Sequence, residues 1–491
     1  MSPANPLFLN SQYHYQVNVR TRLRAAFLLC ALAFLSLASS AHAYSLLTHE
    51  QLIDLTWKSS IVPLLLSRYP TLTPAQLDEA RAYAYGGCVI QDIGYYPFGD
   101  AFFSNLTHYV RTGDFVVSLF RNARNADELA FAVGALSHYI GDSVGHSEAT
   151  NLAVPVEFPG LRHKYGSVVS YAEGEHQHVQ TEFAFDINEV SHHRMAPLHF
   201  LRHIGLGVST RQVAAAFYET YGLGEDFTKE RKRRINVGGY RFSVRAFIPR
   251  IAYALTVLHR RHEPSEIATP DRVELDREIA QVDQENDWDR YRRRAGLGTY
   301  SLAGLIVILP KFGPLKLLAI KGPTQVTDEQ YAHSVRASAD ALRARLARFT
   351  PPPALTLQAS TSRANMAPTT AASTPAEATE RLHPLDNLDL DTGKLTMPGS
   401  YRLTDSTFAE LLHRLAAKPT QAIPPDIKQT IQAFYANPNA PNTTRKDPKL
   451  WAQVQADLAI LPTMPISTEP LAIPTYDASP ASSSALAPPA L

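Results

Sequence analysis

The chain has 491 residues, 45% of them hydrophobic, with 47 basic and 46 acidic side chains and a net charge of +1. That length exceeds one ordinary core, so several folded units, or one unit with extensions and tails, are expected. The balanced charge gives no argument for a polyanionic partner or an acidic tail, while 18 histidines are a high count, most of them between His42 and His262.

Arg20, Arg22 and Arg24 precede an apolar run over residues 25–38, and Ala41, His42 and Ala43 follow. A basic region, a short apolar region and a small-x-small site describe a secretory signal peptide over residues 1–43, with cleavage near Ala43/Tyr44. The run is shorter than the roughly 20 residues that a membrane span needs. The protein is therefore expected to be secreted or periplasmic. Cys30 lies inside the apolar run, so the mature chain keeps Cys88 alone and has no intramolecular disulfide.

Cleavage there makes Tyr44 the first residue and frees an α-amine of pKa about 8, which coordinates a metal at modest proton cost. His49 follows, and Leu52, Ile53, Leu55, Trp57, Ile61, Leu64 and Leu65 recur at helical spacing. Residues 85–100 hold glycines, Pro97 and several aromatics, and read as an irregular loop around Asp92. His108 comes next, and Asp114 opens a helical stretch carrying Phe115, Val116, Leu119 and Phe120.

Asn125, with Glu128 three residues later, reads as a helix N-terminus ahead of an apolar run over residues 129–136. On that helix His138, Asp142 and His146 stand at i, i+4 and i+8, within roughly an 80° arc of one face. Two imidazoles flanking a carboxylate suit a borderline metal such as zinc. The alternative is a helix whose histidines cap buried carbonyls and whose Asp pairs with an arginine.

Residues 151–166, with Pro155, Pro159 and Gly160, read as loop. His178 and Glu182 then repeat the i, i+4 pairing. His199 and His203 share that spacing but sit among Met195, Leu198, Phe200 and Leu201, and read as packing or surface residues. The basic run 229–234 reads as a solvated face. Periodicity at Phe247, Ile248, Ile251, Ala252, Leu255 and Leu258 places the end of the first helical domain near His262. Residues 263–349 read as a helical extension. Its apolar part within 300–318 is too short to span a bilayer and is expected either to dock on the domain or to make a peripheral membrane contact. Residues 350–380 form a Pro-, Ala-, Ser- and Thr-rich linker, 381–461 a small helical module, and 462–491 a disordered tail.

Tyr44, His49, Asp92, His108, His138-x3-Asp142, His146 and His178-x3-Glu182 stand in the order and approximate spacing of one known constellation. The segment from Tyr44 to about Glu182 resembles the zinc-dependent phospholipase C family, whose relatives include the fungal single-strand-specific nucleases. The resemblance implies an all-α catalytic domain over residues 44–262 that holds three zinc ions. It implies that Asp92, His108, His138 and Asp142 hold the first, and that His146, His178 and Glu182 hold the second. The amine and carbonyl of Tyr44, His49 and the other oxygen of Asp142 are implied to hold the third. Asp142 would bridge two metals because only a carboxylate has two oxygens to share. Asp92 is implied to orient or deprotonate the attacking water. This chain departs from the family at Tyr44, where Trp is usual, and at Gln91, where Pro is frequent. His146 also follows Asp142 more closely than in the best-known members.

Divalent cations lined by Asp92, Asp142 and Glu182 leave a positive cavity suited to a phosphodiester. The expected activity is hydrolysis of a phospholipid phosphate ester. Glu182 favours the phospholipase branch, since the nuclease branch tends to carry Asp at that place. A single-strand nuclease or nucleotidase on the same metals, and a non-catalytic metal-bound scaffold, are the alternatives. No stable nucleic-acid partner is expected. Tyr95, Tyr96 and Phe98, close to Asp92 in sequence, are candidates to line the substrate site, because aromatic faces receive acyl chains as well as bases.

Overall fold

The computed structural model describes residues 46–225, 227, 230–259, 269–308, 320, 322–348 and 385–467. The expected signal peptide, Tyr44, Lys229 of the basic run, residues 309–319, the linker 350–380 and most of the tail 462–491 lie outside the described residues.

The protein is all-α. The first helices are α1 (Leu46–Thr56), α2 (Val62–Arg68), α3 (Pro74–Gly87), α4 (Ala101–Tyr109), α5 (Thr112–Arg121) and α6 (Ala126–Gly145). They are followed by α7 (Asn151–Glu157), α8 (Pro159–Tyr165), α9 (Glu175–Ser191), α10 (Leu198–Ile204), α11 (Thr210–Tyr221), α12 (Arg231–Phe242) and α13 (Ile248–His259). Then come α14 (Pro270–Glu285), α15 (Trp288–Tyr291), α16 (Leu297–Ile308) and α17 (Gln325–Ala347). A two-stranded ribbon, β1 (Leu388–Asp389) and β2 (Lys394–Leu395), precedes α18 (Arg402–Ala416), α19 (Pro425–Tyr435) and α20 (Pro448–Ile460).

Helix α6 is the axis of the fold. Asn125 caps it through Glu128 N, and nearly every residue from Ala130 to Ser143 is buried. A helix buried on all sides must be surrounded, and α3, α5 and α17 pack around this one. The α3–α6 crossing is close because glycines meet there. A Cβ on Gly87 would stand 2.0 Å from the Phe131 carbonyl oxygen, and one on Gly134 2.2 Å from that of Ala84. Gly86 and Gly87 therefore end a helix at a backbone contact, where the sequence read an irregular loop. That loop begins at Cys88 and contains a single 3₁₀ turn, Ile90–Tyr95.

Residues 151–166 are likewise helical, not loop, and the reason is local. Pro155 lacks the N–H that would bond to the Asn151 carbonyl, but Val169 N–H takes that oxygen at 3.0 Å. Pro159 sits in the first turn of α8, where its missing donor costs nothing.

The extension beyond His262 shares the same core. Tyr331 of α17 stacks on Phe185 at 4.8 Å, and its hydroxyl lies 2.9 Å from Thr48 Oγ1. Helix α16 packs on α13 and buries Ala303 and Ile306, while Leu297, Tyr300, Val307 and Ile308 face solvent. Among the described residues no helix is long and apolar enough to cross a membrane.

Candidate metal centre

Helix α1 brings His49 to the centre, and a distant carboxylate holds that helix in place. Asp186 of α9 accepts from Leu47 N at 2.9 Å, Thr48 N at 3.1 Å and Thr48 Oγ1 at 2.7 Å. An anion on the unpaired N–H groups of a helix start is favourable, more so when it is buried. His49 then stacks on His138 with ring centroids 4.3 Å apart.

His138 and Asp142 project from α6 on one face, as their spacing requires. Asp142 Oδ1 lies 3.1 Å from His49 Nε2, while Oδ2 lies 3.1 Å from His138 Nε2 and 3.3 Å from His108 Nε2. Each oxygen thus faces a different set of imidazoles. Asp92, from the 3₁₀ turn, stands 3.4 Å from His108 Nε2. All of these side chains are buried.

The hydrogen bonds behind the rings decide which nitrogens face inward. His138 Nδ1 lies 2.9 Å from the Cys88 carbonyl, and His108 Nδ1 lies 2.7 Å from that of Ser104. A carbonyl only accepts, so both Nδ1 atoms carry hydrogen and both Nε2 atoms present lone pairs. Those Nε2 atoms are 3.3 Å apart. Two lone pairs at that distance repel unless a cation or an extra proton lies between them.

A second group forms where α6 runs into the π-helical turn His146–Thr150 and meets α9. Glu182 Oε1 lies 3.1 Å from His178 Nδ1 and 3.9 Å from His146 Nε2, and the two rings stack at 5.1 Å. Asn151 Nδ2 donates to the Asp391 carbonyl at 2.8 Å, which turns its Oδ1 toward His178 Nε2, also at 2.8 Å. His178 therefore donates from Nε2 and aims its Nδ1 lone pair at Glu182.

The charges respond to this crowding. Burial lowers the pKa of His49 and of His146, and lowers that of His178 well below its ordinary value, so all three stay neutral as ligands require. Burial opposes the charged form of His108 too, but its contacts with Asp142 and Asp92 win and push it up to about 10, so without a cation the extra proton between the two Nε2 atoms sits on His108. Burial works against the Asp142 carboxylate, yet His138, His108 and His49 hold it well below the usual range. Glu182, buried and near Asp142, is pushed well above its own.

A metal fits this donor set. His49, His138 and Asp142 form one group with ligand atoms close enough to share an ion; Asp92, His108 and His138 form another; His146, His178 and Glu182 form a third. Both oxygens of Asp142, Asp92 Oδ1 and both nitrogens of His146 are buried without a hydrogen-bond partner. Natural proteins rarely leave such atoms orphaned unless an ion or water completes them. With histidine and carboxylate donors and no thiolate among them, the chemistry is that of zinc or a similar divalent ion.

Of the residues singled out in the sequence, His49, Asp92, His108, His138, Asp142, His146, His178 and Glu182 come together here; Tyr44 lies outside the described residues. Tyr95 is buried beside His108, with ring centroids 5.9 Å apart. Tyr96 packs edge-on against Tyr240 in the core, and Phe98 is 52% exposed with φ +65°. His199 and His203 are exposed, away from the centre. Of the basic run, Arg233 is buried and paired with Glu225, while Glu230, Arg231, Lys232 and Arg234 are exposed. Sequence reasoning missed Asp186, Asn151 and Asp391. Asp186 belongs to an ordinary helical stretch, Asn151 to a segment that the sequence read as loop, and Asp391 lies far along the chain in a segment without helical period.

An all-helical domain whose buried histidines and carboxylates converge in metal-sized groups defines a class of metal-dependent proteins. Residues 48–224 match the family model described as zinc-dependent phospholipase C. No curated protein and no solved structure matches the chain.

Proposed function

We propose that the protein is an exported zinc-dependent phosphodiester hydrolase of phospholipase C type, with three zinc ions held by the residues above and by Tyr44. The observation that carries this reading is the pair of facing Nε2 atoms of His108 and His138, 3.3 Å apart beside Asp142, which only a cation or a proton between them can hold together. Bound zinc would supply a Lewis acid for the phosphoryl oxygens and lower the pKa of a bound water.

The protein's own residues do the rest. Asp142 offers one oxygen to the His49 side and one to the His108–His138 side, which fixes the spacing of the two sites. Asp92 is the base that orients or deprotonates the water; its Oδ1 has no other hydrogen-bond partner. The Cys88 and Ser104 carbonyls hold the imidazoles in the tautomer that ligation needs. Tyr95 lines the centre next to His108. The solvent-facing Tyr300, Val307 and Ile308 of α16 favour a peripheral contact with a lipid surface.

Phospholipid is the preferred substrate because the second group carries Glu182. Parallel assays of the mature, zinc-loaded protein on phosphatidylcholine vesicles and on single-stranded DNA test this choice. Release of the phosphorylated head group is expected. Cleavage of DNA alone would overturn the lipid reading, and activity on neither would overturn both.

A further inference from the structure

The C-terminal ribbon lies against the helices that carry the metal centre. Thr112 Oγ1 donates to the Leu388 carbonyl at 2.7 Å and accepts from Leu388 N at 3.0 Å, and Leu390 N donates to the His108 carbonyl at 3.0 Å. The turn of the ribbon presses on α6: a Cβ on Gly393, at φ +66°, would stand 2.5 Å from the Ser143 carbonyl oxygen. Between these contacts Asp391 is anchored by its own side chain, whose Oδ2 accepts from Tyr109 at 3.0 Å and from Tyr401 at 2.6 Å. The Asp391 carbonyl is thereby delivered to Asn151, 240 residues earlier, whose Nδ2 donates to it at 2.8 Å.

The consequence falls on His178. The rings of His108 and His138 are oriented by backbone carbonyls, which only accept. The Nε2 of His178 instead meets a buried side-chain amide, Asn151 Oδ1 at 2.8 Å. An amide has an accepting and a donating end, and a turn about its last bond would present N–H₂ to the ring. His178 would then accept at Nε2, carry its hydrogen on Nδ1 and lose the lone pair that faces Glu182 Oε1 at 3.1 Å. The Asp391 carbonyl decides between the two ends: it can only accept, so Nδ2 turns to it and Oδ1 to the ring. The Val169 backbone also hydrogen-bonds to the ring, so losing the amide weakens the preference without abolishing it.

We propose that the C-terminal ribbon tunes the zinc affinity of the His146–His178–Glu182 site, with Asn151 as the positioning residue that carries its influence to His178. The ribbon supplies no ligand; it selects the nitrogen of His178 that faces the metal. Residue 391 lies beyond residues 48–224, which match the family model, so this control is added by the C-terminal module. Such coupling is reciprocal, and zinc bound at this site also holds the ribbon against the first helical domain.

This inference rests on the zinc reading of the centre, and the experiment separates the two. Full-length mature protein, Asn151→Ala, Gly393→Ala and the double variant are compared by chelator competition for zinc. Gly399→Ala is the control: that glycine has φ +80°, and a Cβ there would stand 2.3 Å from the Pro441 carbonyl oxygen, so it strains the module against its own backbone. Asn151→Ala is expected to weaken one zinc site roughly 10-fold, and Gly393→Ala to weaken the same site by a similar factor. Adding Gly393→Ala to Asn151→Ala should change the affinity no further, because the ribbon acts through the amide. Gly399→Ala should leave it unchanged. Nitrogen NMR of metal-free protein labelled at histidine reads the tautomer, with the His178 signal assigned by its loss in His178→Gln. The wild-type ring should carry its hydrogen on Nε2, and Asn151→Ala should shift it toward Nδ1. If Gly393→Ala does not fold, Tyr401→Phe replaces it, since that change frees Asp391 from its 2.6 Å hydrogen bond. Unchanged affinity in either single variant, additive losses in the double variant, an equal loss in Gly399→Ala or an unchanged tautomer would overturn the inference and leave the zinc reading standing. A wild type that holds no zinc would overturn both.

Discussion

Replacing Asp142 by Asn removes the group on which two sites depend, and the loss can be sized. A four-ligand zinc site is worth about 10–16 kcal/mol, so one ligand accounts for roughly 3 kcal/mol, or a hundredfold or more in affinity. Asp142 faces His49 with one oxygen and His138 and His108 with the other, at 3.1–3.3 Å. An amide keeps one of those oxygens and turns the other into a donor, so one site loses its ligand outright and its neighbour loses the shared negative charge. The metal-free fold should survive, because the new N–H₂ can donate to an imidazole lone pair that Asp142 leaves unsatisfied. Chelator competition on the purified variant, with circular dichroism as a fold control, reads the result. Loss of at least one zinc ion, weakened binding of a second and abolished phosphodiesterase activity are expected. A folded variant that keeps full zinc at wild-type affinity would refute the bridging geometry.

Other substitutions probe the scaffold around the centre. Asp186→Ala leaves the N–H groups of Leu47 and Thr48 unsatisfied at the start of α1, so a loss of about 1–3 kcal/mol is expected in urea unfolding. A stability within about 0.3 kcal/mol of wild type would contradict that role. Gly134→Ala drives a methyl group into the Ala84 carbonyl and should cost about 1–3 kcal/mol, read as a lower melting temperature; the glycine contact is unimportant if melting is unchanged. Chelation of the wild type should lower its melting temperature by several degrees, because each site held at 1,000 times its Kd contributes about 4 kcal/mol, and zinc should restore it. A chelated protein that melts like the untreated one would show the sites to be empty throughout.

Much of the centre was legible because helical spacing converts sequence directly into a shared face. His138 with Asp142 and His178 with Glu182 needed only the four-residue repeat, and the structure brings each pair to within 3.1 Å. The junction at His146 was harder, since the helix changes to a π turn at that residue. What stayed hidden depended on partners far along the chain. Pro155 forbids a helix only if the Asn151 carbonyl goes unpaired, and its replacement donor is Val169. Asp186 gives no capping signal, because Leu47, whose N–H it caps, lies 139 residues earlier. The ribbon has two residues per strand, too short to show an alternating pattern, so nothing in the sequence marked Asp391, whose carbonyl orients Asn151 behind His178.

The central claim is that these buried donors form a zinc centre, and metal content per chain tests it most directly. Elemental analysis after dialysis should find about three zinc ions in protein beginning at Tyr44. Protein in which Tyr44 is still inside a peptide bond should hold about two, because its α-amine is not available to the His49 site. A well-folded protein that retains no zinc would contradict the account.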